Sequence, residues 1–286
     1  MDLKQIVLLA LQVSIMFTVF GFGLNATVGD LLYVVRRPGL LARSLLAVWV
    51  VMPAIAVGLV LAFHFRPEVE IVLIALAISP VPPLLPTKEV KAGGHSDFGV
   101  GLMAILCLLS IVAVPLALEL LERVTGHPLG MAPGAVAALV VKAALAPLLA
   151  GMVFRAALPA IAGRIAKPMA LVAKVLLLVA AVPLLIVAMP AIGAEIGGFT
   201  VAAMVIFVVA GLAIGHLLGG PDPDHSMVLA LSAACRHPAI ALAIAAANFP
   251  NLRFGAIILL YVLVNGVAAI PYLTWQKRRK QQGLVA

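Results

Sequence analysis

Two polar interruptions in long apolar stretches hold the residues of this chain that could do chemistry. The later interruption contains Ser232, Arg236 and His237. Arg236 stays charged in almost any environment and can bind a carboxylate or a sulfonate through two N–H groups. His237 could carry a proton, because imidazole titrates near neutral pH, or it could only cap and hydrogen-bond beside Pro238. These residue types predict a binding site for an organic anion.

The earlier interruption supplies one more cation, Lys88, and a run of prolines that includes Pro82 and Pro83. Lys88 together with Arg236 would make a doubly positive site, and the N-termini of half-helices at such breaks also favour anions. Lys88 could equally be solvated at the cytoplasmic edge of the membrane. The predicted substrate-binding residues are Arg236, His237, Lys88, Pro82, Pro83 and Ser232.

Composition assigns the whole chain to the membrane class. Hydrophobic residues make up 64% of the chain and charged residues 10%, whereas soluble domains have about half and about a quarter. The net charge of +8 does not indicate nucleic-acid binding, because most cations lie at the ends of apolar stretches, where they set topology. Cys107 and Cys235 lie in apolar stretches and give neither a disulfide framework nor a metal-ligand spacing.

The apolar stretches predict an all-α polytopic membrane protein with about nine transmembrane helices, since a spanning helix needs about 20 residues. The predicted spans are 5–24, 41–63, 70–92, 98–120, 135–154, 168–189, 200–218, 226–248 and 254–275. The third and eighth spans are broken and cross the membrane in opposite directions, as in an inverted repeat. Irregular backbone survives in a membrane only where it is buried in protein or lines a cavity. Paired breaks therefore point to the binding site of a transporter.

Lysines and arginines in the loops are distributed unevenly between the two sides of the membrane. One side has ten of them, including the run 277–280, and the other side has four, with Lys88 and Lys91 of the broken helix left out. The positive-inside rule predicts that the richer side, and with it the C-terminus, is cytoplasmic. Nine crossings then place the N-terminus outside. We expect a multi-pass protein of the cell (inner) membrane whose oligomeric state is open, a monomer included.

Several short motifs follow one another in order across nearly the whole chain. They are Met16–Leu24, Asp30, Arg37-Pro38, Met52-Pro53, Lys91–Gly94, Gly215–Gly219, Arg236–Ala245 and Asn248-Phe249. These motifs and their order resemble the bile acid:sodium symporter superfamily. The resemblance implies one transporter unit of two inverted repeats in the nine-helix form. A panel would comprise about 5–24 and 135–189, and a core about 41–120 and 200–275, with the broken helices crossing near the midplane. It also implies transport of a small organic anion, such as a bile-acid-like compound, a sulfonate or a carboxylate, commonly driven by sodium.

The sodium-binding residues of that family are not matched here. Sodium-coupled relatives carry a Gly-Gly-Thr-Ala-Ser-Asn run where this chain has Pro82–Pro86, which offers no side-chain oxygen. A Glu and a Gln of the second broken helix correspond to Ser232 and Arg236, and an earlier Gln corresponds to Val48. Hard cations such as sodium need several oxygen ligands. Arg236 is therefore predicted to contact substrate or to replace sodium as an internal counter-ion. Coupling to sodium or protons stays open, and no cofactor is expected.

Two other classes of function are the alternatives to transport. An intramembrane enzyme would need convergent catalytic groups, and the chain has no H-E-x-x-H motif, no G-x-S-x-G motif and no pair of intramembrane aspartates. A non-transporting membrane sensor would normally bring a soluble output domain, which this sequence does not show. The favoured function is a secondary active transporter that works by alternating access at the crossing of the broken helices.

A polar segment between the seventh and eighth spans carries Asp222, Asp224 and His225. The pattern Asp222-Pro-Asp224 predicts a turn, with Ser226 as the cap of the helix that follows. A metal site formed by the two aspartates and the histidine is the less favoured interpretation.

Overall fold

The computed structural model describes residues 3–82, 96–125, 130–197 and 199–281. All regular structure within these residues is helical, and none of it is strand. Eight helical stretches are long and apolar enough to cross a membrane, judged by length and composition. They coincide with eight of the nine predicted spans. The remaining span, 70–92, is described only as far as residue 82.

Thirteen helices are described, and they are labelled in chain order. They are α1 (Leu3–Gly23), α2 (Val28–Leu31), α3 (Pro38–Leu46), α4 (Met52–Ala62), α5 (Pro67–Ile78), α6 (Ser96–Thr125), α7 (Pro133–Val140), α8 (Ala146–Ala157), α9 (Pro159–Ala194), α10 (Thr200–Leu218), α11 (Pro223–Ala234), α12 (Pro238–Asn248) and α13 (Gly255–Gln281). One wide π-helical turn, Ala47–Val51, joins α3 to α4, and another, Val141–Leu145, joins α7 to α8.

Proline marks the start of six of these helices. The helices α3, α5, α7, α9, α11 and α12 each begin on a proline. Proline suits the first helical position, because its missing N–H would have no partner there and its φ angle is already helical. Helix α9 accordingly begins at Pro159, nine residues before the predicted span 168–189, and runs for 36 residues.

The two breaks lie where the sequence predicts them, as far as the structure describes them. Helix α5 ends at Ile78 after 12 residues, about 18 Å of rise, which is too short for a hydrocarbon core of about 30 Å. The eighth span divides into α11 and α12, and the backbone between them is extended at Cys235 (φ −93°, ψ 119°) and His237 (φ −76°, ψ 103°). Each break therefore leaves the end of a half-helix inside the membrane-spanning region.

Glycines bring α10 and α11 into close contact. Gly211, Gly215 and Gly219 are spaced four residues apart and therefore lie on one face of α10. A Cβ atom on Gly215 would lie 2.4 Å from Cα of Ala230, and one on Gly219 would lie 2.2 Å from Cα of Ser226. Such backbone contact leaves no room for lipid, and the last nine residues of α11 are all buried. Helix α11 is thus an inner helix, which is where a polar break can be tolerated.

Loops that were predicted to share a membrane face lie together in space. At one end, the backbone N–H of Gly130 donates to Oδ1 of Asn248 at 2.7 Å, and the side chains of Arg66 and Glu195 form an ion pair. At the opposite end, the Tyr33 hydroxyl lies 2.7 Å from Nε2 of His225. The contacts agree with the predicted sidedness of these loops relative to one another, independently of which side is cytoplasmic.

Replacing Gly215 by alanine should destabilise the protein, because the new methyl group overlaps the backbone of α11 and the two helices must separate. Overpacking of this kind costs about 1–3 kcal/mol. The measurement is the thermal unfolding midpoint of the purified protein in detergent. Gly58→Ala is the matched control: a Cβ atom on Gly58 meets no atom within 4 Å, so this variant should be as stable as the wild type or slightly more so. Equal midpoints for both variants would contradict the close packing of α10 on α11.

Candidate functional site

The two breaks meet and are hydrogen-bonded to each other. The backbone N–H of His237, in the second break, donates to the carbonyl oxygen of Pro80 at 2.8 Å and to Oγ of Ser79 at 3.1 Å. Ser79 and Pro80 directly follow the last residue of α5. The contact joins residues more than 150 positions apart and places the end of α5 against the start of α12.

Arg236 lies at this crossing and is 1% exposed. Its Nε donates to the carbonyl oxygen of Leu76 at 3.0 Å, and its Nη2 donates to the carbonyl oxygen of Ala77. These carbonyls belong to the last turn of α5, where the regular helical hydrogen bonds run out and the negative end of the helix dipole lies; the Leu76 carbonyl also accepts from the backbone N–H of Ser79 at 3.1 Å. A cation is therefore favoured at this position, and the guanidinium caps the half-helix.

One nitrogen of the Arg236 guanidinium makes no hydrogen bond to the described residues. Nη1 is buried and has no hydrogen-bond partner among the described residues. An unmade hydrogen bond to a charged donor is costly in the interior of a protein. The atom is therefore a donor available to a group outside the described part of the chain, and an anionic oxygen is the best match for it.

Helix α13 holds the other half-helix end at the crossing. The Tyr261 hydroxyl accepts from the backbone N–H of Arg236 at 2.7 Å and donates to the carbonyl oxygen of Ala234 at 2.9 Å. Nδ2 of Asn265 donates to the same oxygen at 3.0 Å, and its Oδ1 accepts from Sγ of Cys235 at 2.9 Å. Tyr261 and Asn265 are four residues apart and so share one face of α13. They satisfy the last carbonyl of α11.

Tyr261 and Asn265 were not anticipated from the sequence. Asn265 did offer a signal, because it is an uncharged polar residue in the middle of the apolar span 254–275 and such residues are often functional. It is 5% exposed. Tyr261 offered none, since a tyrosine in a membrane span is most simply explained as packing.

The predicted site residues fall into three groups. Arg236 and His237 lie at the crossing, and Ser232 is buried one turn earlier on α11. Nδ1 of His237 accepts from the backbone N–H of Ile240 at 3.4 Å, so His237 caps α12, which was the alternative to a proton carrier. Pro82 lies three residues beyond Ser79, at the edge of the described chain. Pro83 and Lys88 lie outside the described residues.

Two apolar cavities flank α5. The larger has a volume of about 650 Å³ and lies between α4, α5 and α6; Ala77, whose carbonyl oxygen binds Arg236, forms part of its wall. Trp49 also lines it, and the buried indole Nε1 has no acceptor among the described residues. The smaller, of about 360 Å³, lies between α5, α6 and α12. Arg236 lines neither cavity, so the guanidinium is separated from both by the end of α5.

A second polar cluster joins the segment after α2 to the start of α11. Besides its contact with Tyr33, His225 pairs through Nδ1 with Oδ2 of Asp222 at 3.4 Å, and the Phe98 ring packs edge-on against its imidazole at a centroid distance of 5.2 Å. The guanidinium of Arg37 lies 3.8 Å above the Tyr33 ring. Burial raises the pKa of the Tyr33 hydroxyl, which is therefore a neutral donor or acceptor at physiological pH.

The predicted cap of α11 was wrong. The N-cap is Asp222, whose carboxylate accepts from the backbone N–H groups of Asp224 at 2.8 Å and His225 at 3.2 Å. Ser226 lies one turn further on, where its Oγ donates to the carbonyl oxygen of Gly220 at 2.8 Å. The reason is Pro223, which starts the helix four residues earlier than a cap at Ser226 would. Within the described ranges, no cluster of three or more histidine, cysteine or acidic residues could hold a metal ion.

The fold and site define an all-helical membrane protein with a buried cation at the meeting point of two interrupted helices. Comparison with known protein families identifies its family. The chain belongs to the Sodium Bile acid symporter family, whose model it matches over residues 12–196. The resemblance noted in the sequence is thereby confirmed. The matched residues include the first break and end before the second.

The chain is also similar to a protein of Bacillus subtilis (strain 168) described as "Uncharacterized sodium-dependent transporter YocS". The two are 26% identical over 136 residues, which is 48% of this chain and 41% of the relative. The match thus spans about two-fifths of the length of that curated relative.

Replacing Tyr261 by phenylalanine should destabilise the crossing, because the backbone N–H of Arg236 loses its acceptor and the Ala234 carbonyl loses one of two donors. Leaving a buried group unpaired costs about 1–3 kcal/mol. Phenylalanine keeps the aromatic packing against Phe207, whose ring centroid is 6.5 Å away, so a loss in the thermal midpoint reports on the hydroxyl alone. In a double-mutant cycle with Asn265→Ala, the two losses should be non-additive, since both side chains serve the same carbonyl oxygen. A wild-type midpoint for Tyr261→Phe would rule out this role.

Proposed function

We propose that this protein is a secondary active transporter of a small organic anion, such as a carboxylate, a sulfonate or a bile-acid-like compound. The observation that carries the proposal is the buried guanidinium of Arg236 at the crossing of two helix breaks, whose Nη1 has no acceptor among the described residues. Family membership supports transport as the class of activity. The charge at the crossing supports an anion as the substrate.

The proposed architecture has nine crossings arranged as two inverted repeats within one transporter unit. The panel is α1 with α7, α8 and α9, and the core comprises the remaining long helices. In support of this division, α1 packs mainly against α8 and α9, whereas α10 packs against α11, and α5 against α12. The ninth crossing, from α5 through residue 92, rests on the hydropathy of the sequence.

Electrostatics favours an anion at the crossing over a neutral or cationic substrate. A charge in a membrane span is costly unless it is paired, and it is usually functional. The carbonyls of Leu76 and Ala77 offset part of that cost for Arg236, but they are dipoles and carry no full charge. The 11-residue helix α12 also begins at the crossing, so the positive end of its dipole lies in the same region. A carboxylate or sulfonate oxygen there would complete the hydrogen bonding of Nη1.

Alternating access would come from movement of the core against the panel around this crossing. One contact between the two parts lies at the end of the molecule where α5 begins. There Arg66 at the start of α5, in the core, pairs with Glu195 at the end of α9, in the panel. Opening at this end would require the Arg66–Glu195 contact to rearrange.

The proposal also includes the orientation in the membrane, the partners and the residues that line the substrate path. The C-terminus would be cytoplasmic and the N-terminus outside, in the cell (inner) membrane, with the lipid bilayer as the surrounding partner and no nucleic acid involved. The protein would not be an enzyme. Ser232, Pro82, Pro83 and Lys88 would line the path of the anion beside Arg236 and His237.

The test is uptake into proteoliposomes with a panel of small carboxylates and sulfonates. Arg236→Gln should reduce uptake of the accepted anion at least about tenfold, since it removes the charge that binds substrate. Arg236→Lys should retain a part of the activity, because lysine keeps the charge but loses the forked geometry. The control is Arg123→Gln, which alters an exposed arginine paired with Glu119 at a distance from the crossing; it should transport normally.

Each variant is first shown to be folded by its thermal midpoint and by a single peak in size-exclusion chromatography. A folded Arg236→Gln variant that transports every anion of the panel at the wild-type rate would contradict the proposal.

A further inference from the structure

The names of the family and of the bacterial relative both refer to sodium, so the crossing can be tested for its fit to that ion. Hard cations of this kind are bound by a cage of several oxygens, with carboxylates, carbonyls and hydroxyls as the ligands. In the described part of the crossing, the hydrogen-bonded oxygens of this kind are the carbonyls of Leu76, Ala77, Pro80 and Ala234 and the hydroxyls of Ser79 and Tyr261. No carboxylate is among the groups that bond to one another there.

These oxygens are already engaged by donors of the protein. The Leu76 carbonyl accepts from Nε of Arg236 at 3.0 Å and from Oγ of Ser79 at 2.8 Å, and the Ala77 carbonyl accepts from Nη2. The Ala234 carbonyl accepts from two side chains of α13. A carbonyl oxygen has two lone pairs, so Leu76 and Ala234 have no acceptor capacity left for a mobile ion.

The charge at the crossing also opposes a sodium ion. The guanidinium is permanently positive and lies in direct contact with the carbonyls of Leu76 and Ala77. A second cation held by the same two oxygens would be within a few ångströms of it, in surroundings where like charges repel far more strongly than in water. Nη1 has no acceptor among the described residues, and a cation cannot act as one.

We infer that the guanidinium of Arg236 is the resident cation of this crossing, in the place where the carbonyls of a half-helix end would otherwise hold a mobile ion, and that the crossing does not bind sodium. Where it concerns transport, this inference rests on the proposed function: uptake of the anion does not require a sodium gradient. The driving force is then the gradient of the anion itself or of an ion other than sodium.

The occupancy of the crossing is tested without any substrate, by the thermal midpoint of the purified protein. Wild-type protein should unfold at the same temperature in NaCl, KCl and choline chloride, each at about 150 mM. Arg236→Ala should unfold at a lower temperature, because the carbonyls of α5 lose their cation and a cavity opens. Guanidinium chloride at about 10 mM should raise the midpoint of this variant by at least about 3 °C, since the small cation enters the vacated space.

Two control variants distinguish the loss of the Arg236 charge from the loss of its side-chain volume. Arg236→Met fills most of the same volume without a charge, so it should be destabilised but gain nothing from guanidinium. Arg123→Ala removes an exposed arginine and should behave as the wild type in all of the salts. A midpoint of the wild type that rises specifically in sodium would overturn the inference, and so would the absence of guanidinium rescue in a folded Arg236→Ala. If Arg236→Ala does not fold, the comparison of salts on the wild type still decides it.

Uptake then tests the consequence for transport. With an accepted anion, initial rates in proteoliposomes should agree within about twofold whether the outward face holds sodium or choline. Rates that collapse without sodium would overturn the inference while leaving the proposed function intact. If no anion is transported at all, the proposed function fails, and the salt comparison of the midpoints still stands or falls by itself.

Discussion

The structure depends on one constraint, which is that a helix ending inside a membrane leaves carbonyl groups that water cannot reach. Two half-helices, α5 and α11, end in this way at the same point. The protein satisfies the two ends differently: Arg236 donates to the carbonyls of α5, and two neutral side chains of α13 donate to the last carbonyl of α11. The second break supplies the arginine that caps the first, and the first supplies the Pro80 carbonyl that accepts from His237. The two interruptions therefore stabilise each other.

Much of the surrounding packing follows from the need to keep this polar point away from lipid. Helix α11 is covered by α10, whose glycines at four-residue intervals allow the two backbones to touch. Helix α13 lies alongside, and its Tyr261 and Asn265 both face the break. Among the described residues, hydrogen bonds to carbonyl dipoles offset the cost of burying the guanidinium, and no carboxylate pairs with it. The described part of the crossing therefore carries a positive charge, which distinguishes it from a neutral structural cap.

The positive charge of Arg236 is a fixed part of the crossing. A mobile cation would have to be captured and released as conditions change, whereas a guanidinium is present at all times. This fixed charge is the basis of the proposal that the substrate is an anion. The contacts at the two ends of the molecule, Arg66 with Glu195 and Tyr33 with His225, each join segments that are far apart in the sequence.

The sequence by itself determined the membrane class, the approximate location of eight spans and, as far as the structure describes them, the positions of the two breaks. These features are local: hydropathy over about 20 residues defines a span, and a proline that follows a break, such as Pro238, favours the first position of a new helix. Proline also explains the local error at α11, where Pro223 moves the cap from Ser226 to Asp222. Only the tertiary structure decided which groups meet. The carbonyl that Arg236 binds is 160 positions away, and Tyr33 and His225 are 192 apart. A backbone carbonyl is the same in every residue, so no sequence pattern marks Leu76 or Ala77 as partners, and only the packing of the helices brings them to the guanidinium.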